Sequence, residues 1–118
     1  MNTHSCKYLL VHCMDFRLRN FLNDFGDKLE GGYDLVSIAG GVKNVDFLMT
    51  QVNISVSLHQ MTNVILVNHE DCGAYGEAGT SEKHAEDLRY AKNAVLAQYP
   101  SLTVEMYYLK LSGEFGKI

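Results

Sequence analysis

Apolar positions along the chain change period repeatedly, and each change marks an element. Residues 7–12 (KYLLVH) form a short apolar run between polar residues, as in a buried strand. After Arg17, residues Leu18, Phe21, Leu22, Phe25 and Leu29 recur at helical spacing, and Gly31-Gly32 stops that helix. Residues 33–39 (YDLVSIA) read as a second strand, followed by Gly40 and Gly41. Asn44 then caps a helix whose stripe is Val45, Leu48, Met49, Val52 and Val56. Residues 63–68 (NVILVN) are the clearest strand, β-branched and apolar at the centre, and they run into His69. A glycine-punctuated loop, CGAYGEAGTS, leads to a helix over 82–99 that turns Ala85, Leu88, Val95, Leu96 and Tyr99 inward and closes at Pro100. Residues 103–111 supply a last strand.

The order β-α-β-α-β-α-β, with short connections and no repeat or linker, predicts an α/β fold: an open, mainly parallel four-stranded sheet with helices on its faces. At 118 residues the chain has room for one core, burying roughly 65% of its unfolded surface, so residues 1–118 are expected to form a single domain.

Charge and composition narrow the function. A net charge of −4, with 10 Lys and Arg scattered along the chain, leaves no basic stripe for a nucleic-acid backbone. No apolar run approaches the roughly 20 residues that span a bilayer. The start, MNTHSCKYLL, lacks the basic and long apolar regions of a signal peptide, so a cytoplasmic location away from membranes is expected. Three cysteines, Cys6, Cys13 and Cys72, are too few for a disulfide framework, and no CxxC redox pair occurs.

Two segments concentrate the remaining chemistry. HCMDFR follows the first strand and NHEDCGA follows the third, and binding groups in open parallel sheets gather beyond the carboxyl ends of the strands. Cys13 can therefore meet His69 and Cys72. Two thiolates and an imidazole, with a fourth position open, form a zinc pattern of catalytic type, since a closed structural site normally supplies four protein ligands. The other tempting residues have plainer explanations. His4 and Cys6 could form a terminal metal site, but a disordered tail is the plainer reading. Alternation points His12 away from Cys13, a packed histidine. His59 and His84 lie on helices, where they are expected to face solvent and either could shuttle protons, and Tyr107 and Tyr108 pack in the last strand. CGAYGEAG lacks the lysine of a phosphate-binding P-loop.

Cys13-x-Asp15-x-Arg17, followed by His69-x-x-Cys72, resembles the zinc site of the β-class carbonic anhydrases. SIAGGVKN resembles that family's segment before the second helix, and LKLSGEFGKI its closing strand and turn, so the resemblance spans nearly the whole chain. It implies one Zn²⁺ held by Cys13, His69 and Cys72, and hydration of carbon dioxide to bicarbonate by zinc-bound hydroxide. Asp15 would orient the water and Arg17 would hold Asp15, while Asp15 swung onto the metal would give an inactive closed state. Gly40, Gly41 and Gly73 would line the small-molecule pocket, and a homodimer is implied. Hydrolysis of carbon disulfide or carbonyl sulfide on the same zinc site, and a non-catalytic zinc or thiol-sensing module, are the alternatives. Ser37-Ile38 stands where the family has Arg-Asn, and only a few residues precede the first strand, where the family carries a helical arm.

Overall fold

A computed structural model describes residues 4–118. Four parallel strands, β1 (Tyr8–His12), β2 (Tyr33–Ser37), β3 (Asn63–His69) and β4 (Thr103–Leu109), are joined by helices α1 (Arg19–Asp27), α2 (Val45–His59) and α3 (Ser81–Gln98). A fifth strand, β5 (Phe115–Lys117), returns antiparallel along β4, so the sheet order is β2-β1-β3-β4-β5. The expected last strand, 103–111, is thus two residues shorter, and β5 is a fifth strand beyond the four expected. β4 ends at Leu109, the chain turns through Gly113 at φ +96°, and Phe115 comes back to stack on Phe25 with ring centroids 4.7 Å apart.

Alternation along the strands sorts the core into two layers. Leu9, Val11, Val64, Leu66, Val104 and Met106 face α2 and α3, meeting Leu48, Val52, Leu88, Ala91 and Val95. Leu10, Ile65, Val67 and Leu109 face the other way, toward Leu18 and Leu22. Because β3 is covered on both sides, every residue from Val64 to His69 is buried, and its continuous apolar run follows from that. Each large aliphatic side chain so buried stabilises the fold by roughly 1.5–3 kcal/mol.

The helix boundaries have local causes. Asn44 accepts a hydrogen bond from the backbone N–H of Phe47 at the start of α2, and Thr80 accepts one from Lys83 at the start of α3. Two expectations fail here. His84 does not face solvent; it is fully buried on the inward stripe of α3, where the Nδ2 amide of Asn68 donates to its Nδ1 at 2.9 Å and the Tyr75 ring lies 4.1 Å away. His59 is half-buried at the end of α2, its Nδ1 2.8 Å from Asp34. Neither outcome is visible in helical spacing alone, because each depends on a polar partner from another element.

The path of the chain places the site. From β1 it moves outward to β2, then crosses back to place β3 on the other side of β1. The crevice at such a reversal lies outside the carboxyl ends of β1 and β3.

Candidate metal centre

Cys13 is the first residue beyond β1, His69 the last of β3, and Cys72 lies in the turn that follows. All three are buried, and their ligand atoms lie within 4.8 Å of one another. The two sulfurs are 3.9 Å apart. Nδ1 of His69 donates to the carbonyl of Glu70 at 2.7 Å, which leaves Nε2 as the ring's lone-pair nitrogen. That Nε2 is buried and has no hydrogen-bond partner. A buried, unpaired acceptor aimed between two thiols is costly by itself and is satisfied by a cation, so these residues fit a zinc-class ion.

The thiols support the same conclusion. Burial opposes ionisation of Cys13, but the adjacent His69 ring and hydrogen bonds from the backbone N–H groups of Gly40 and Asp15 outweigh it and bring the thiol down to about 7. Gly40 donates to the Cys13 sulfur at 3.4 Å. Cys72 moves the other way, pushed up by burial and by the neighbouring Cys13 charge. Ionising both of these adjacent buried thiols would need a cation between them, which a divalent ion would supply.

Asp15 and Arg17 stand at the mouth. Asp15 caps the short turn Phe16–Leu18 by accepting from the backbone N–H of Arg17 at 2.9 Å. The Arg17 side chain forks onto the same carboxylate, with Nε 3.0 Å from Oδ1 and Nη2 2.6 Å from Oδ2. This guanidinium holds Asp15 down to about 2. The carboxylate nevertheless stays close to the three donors, its Oδ2 3.9 Å from His69 Nε2.

Of the three glycines, Gly40 binds the Cys13 sulfur, and Gly41 is buried at φ +61° where an added Cβ would lie 2.5 Å from Asn68 Oδ1 and 3.0 Å from the Val67 carbonyl. Gly73 is exposed, with nothing within 4 Å of an added Cβ. His12 is half-buried, its Nδ1 donating to the Cys13 carbonyl at 2.8 Å.

Two contributors escape sequence reasoning. Asp71 grips Arg17 from the far side, its carboxylate 3.0 Å from Nη1 and its carbonyl 2.9 Å from Nη2. The only sequence hint is an Asp before Cys-Gly, a residue type that tolerates the left-handed conformation found here at φ +57°. Behind the metal ligands, Asn68 accepts from the backbone of Val42 and donates to Tyr75 Oη, which donates to Asp87. This network ties the end of β3 to α3, and nothing in the residue spacing announces it.

Comparison with known proteins identifies the fold and the family. The fold is similar to a carbonic anhydrase from Streptococcus mutans, with TM-score 0.72, 16% identity, and coverage of 100% of this chain and 87% of the other. One from Glaciozyma antarctica gives TM-score 0.71, 20% identity, and coverage of 98% and 84%. A β-carbonic anhydrase from Trichomonas vaginalis gives 0.62, 15%, 100% and 85%. In sequence, the chain is 28% identical over 131 aligned positions to an uncharacterised protein of Rickettsia bellii, covering 93% of this chain and 80% of that one. An uncharacterised protein of Rickettsia conorii is 27% identical, with 93% and 70% covered. The model of the family described as "Putative carbonic anhydrase" matches residues 3–118, nearly the entire chain, and the protein belongs to that family.

Proposed function

We propose that the protein is a zinc-dependent carbonic anhydrase, interconverting carbon dioxide and bicarbonate. The observation that carries this is the unpartnered Nε2 of His69 between two buried thiols, with an arginine-held carboxylate 3.9 Å away. Cys13, His69 and Cys72 would hold the ion; when bound, zinc supplies the Lewis acidity that makes water a nucleophile near neutral pH.

The remaining work falls to the chain's own groups. Asp15, ionised at any physiological pH, accepts a hydrogen bond from the attacking water and fixes its lone pair toward the substrate. Arg17 holds that carboxylate beside the ligand set, 3.9 Å from His69 Nε2, and Asp71 braces Arg17. A cleft of about 90 Å³ beside Cys13 and Asp15, walled by Met14, Leu22 and Leu35 together with His12, Arg19, Asn23 and Ser37, has room for a small substrate. Gly40 and Gly41 keep the loop after β2 against the ligand set, and Gly73 leaves the backbone beside Cys72 open to substrate.

We place the protein in the cytoplasm as a homodimer. Among the described residues no helix is long and apolar enough to cross a membrane. β2 is an edge strand carrying Leu35 at 52% exposure, and Met14 and Phe16 beside the cleft are also exposed. Such an edge suits pairing with a second copy. A similar β-carbonic anhydrase of Sordaria macrospora is described as tetrameric.

The test is zinc quantification together with stopped-flow carbon dioxide hydration over roughly pH 7 to 9, beside Asp15→Asn. Zinc-dependent hydration that falls about 100-fold in Asp15→Asn is the expected result. Zinc bound at Cys13, His69 and Cys72 without activity at any pH overturns the enzyme. Free alkylation of Cys13 and Cys72 in the presence of zinc overturns the metal centre as well.

A further inference from the structure

At the amino ends of the strands, opposite the centre just described, a second set of metal-type donors comes together. Cys6, just before β1, lies beside Asp34 of β2 and His59 at the end of α2, and one ligand atom from each lies within 4.8 Å of the others. We propose that Cys6, Asp34 and His59 form a second site for a divalent transition ion of the zinc class.

The cluster is built rather than accidental. The backbone N–H of Cys6 donates to the carbonyl of His59 at 3.1 Å, which ties the tail to the end of α2. His59 Nδ1 stands 2.8 Å from Asp34 Oδ2, and the buried hydroxyl of Ser55 donates to that same oxygen at 2.7 Å. Ser55 thus fixes the carboxylate from outside the donor set, the arrangement that orients metal-binding carboxylates. The His4 ring packs edge-on against His59 at 4.7 Å and covers one side. All three donors are half-buried, reachable from solvent yet partly shielded from it.

The chemistry of the set favours an ion over thiol catalysis. An activated cysteine needs its sulfur on an imidazole or another cation, with the carboxylate behind the ring. Here the Cys6 thiol donates to the Tyr8 carbonyl at 3.5 Å while His59 is held by Asp34, and burial together with the Asp34 charge pushes Cys6 up. That makes a poor nucleophile and a good chelate. Sulfur, nitrogen and oxygen together suit a borderline-soft ion, and ligands on one tetrahedral zinc stand roughly 3.2–3.8 Å apart, so the His59–Asp34 contact opens by about half an ångström on binding. Binding releases the Cys6 thiol proton to solvent, and the proton between His59 and Asp34 passes to the ring's Nε2. Three protein donors leave one position for water.

The site shares no residue with the first centre. Cys6 and Cys13 sit at opposite ends of β1, roughly 20 Å apart at the rise of an extended strand. The two ions can therefore be distinguished peptide by peptide. The full-length protein is treated with an alkylating reagent with and without added Zn²⁺, and modification of Cys6 is followed by mass spectrometry separately from Cys13 and Cys72. Zinc is expected to slow alkylation of Cys6 at least about 10-fold, with that protection lost in His59→Asn and Asp34→Asn. Equal rates with and without zinc in the unaltered chain overturn the proposal, a result that needs no variant to fold. Protection of Cys6 that persists in a folded His59→Asn also overturns it. Neither outcome depends on whether Cys13 and Cys72 are protected.

Discussion

Oδ2 of Asp15 lies 2.6 Å from Nη2 of Arg17, and the same oxygen lies 3.9 Å from the buried Nε2 of His69. One carboxylate is thus within reach of both a permanent cation and the candidate ligand set. Replacing Arg17 with Ala should release it. Hydration activity should fall by about 100-fold while zinc content is retained, as measured by stopped flow and metal analysis on the same preparation.

Asp71 grips the other side of Arg17 but is itself highly exposed, and exposed ion pairs contribute little. Asp71→Ala also leaves the backbone carbonyl bond to Arg17 in place. Activity in this variant should drop by no more than about 5-fold, a difference that kcat/KM measurements on the two variants will separate.

Acid should expose the Asp15–Arg17 pair as a source of stability. The folded carboxylate titrates at about 2, below its ordinary value of 3.8, so its contribution is complete above about pH 4 and is lost as pH falls through about 2. In Arg17→Ala the carboxylate should return to about 4, read from carboxyl carbon chemical shifts. The Tm gap between native and variant proteins should then close on acidification.

The two thiols of the metal-free protein should titrate apart. Cys13 alkylation should rise with a midpoint at about 7, whereas Cys72 should respond only above the ordinary thiol range. His69→Ala should move the Cys13 midpoint upward, since His69 is the largest of the influences favouring its thiolate.

Gly41→Ala should be severe for a mechanical reason. At φ +61° the new methyl would press on the Val67 carbonyl, which is backbone and cannot swing aside, and on Asn68 Oδ1. A loss of about 2–4 kcal/mol is expected, lowering Tm by roughly 10 °C in thermal unfolding.

Much of this architecture is legible in the chain because burial writes itself into spacing. Leu9 and Leu10 face opposite layers, yet both are apolar because both faces of β1 are covered, and the period of Leu18, Leu22 and Phe25 marks α1. Cys13, His69 and Cys72 are legible for a different reason: soft donors at the ends of two parallel strands have few other uses. What escapes is whatever depends on partners far apart in sequence with no shared period. β5 is three residues long and owes its place to Phe115 stacking on Phe25. His84 is read as surface until Asn68 and Tyr75 are placed around it, and Cys6 is a tail thiol until β2 and α2 bring Asp34 and His59 beside it.

The neighbouring placement of β1 and β3 has a consequence for how the molecule assembles. Cys13 and His69 are 56 positions apart in the chain, and β2 with two helices must be accommodated between them before the strands can pair. Closing so long a loop carries an entropic cost that must be met before the ligand triad can assemble. An ion held by the triad, as proposed, would restrain from opening the two paired strands that lie farthest apart in the sequence.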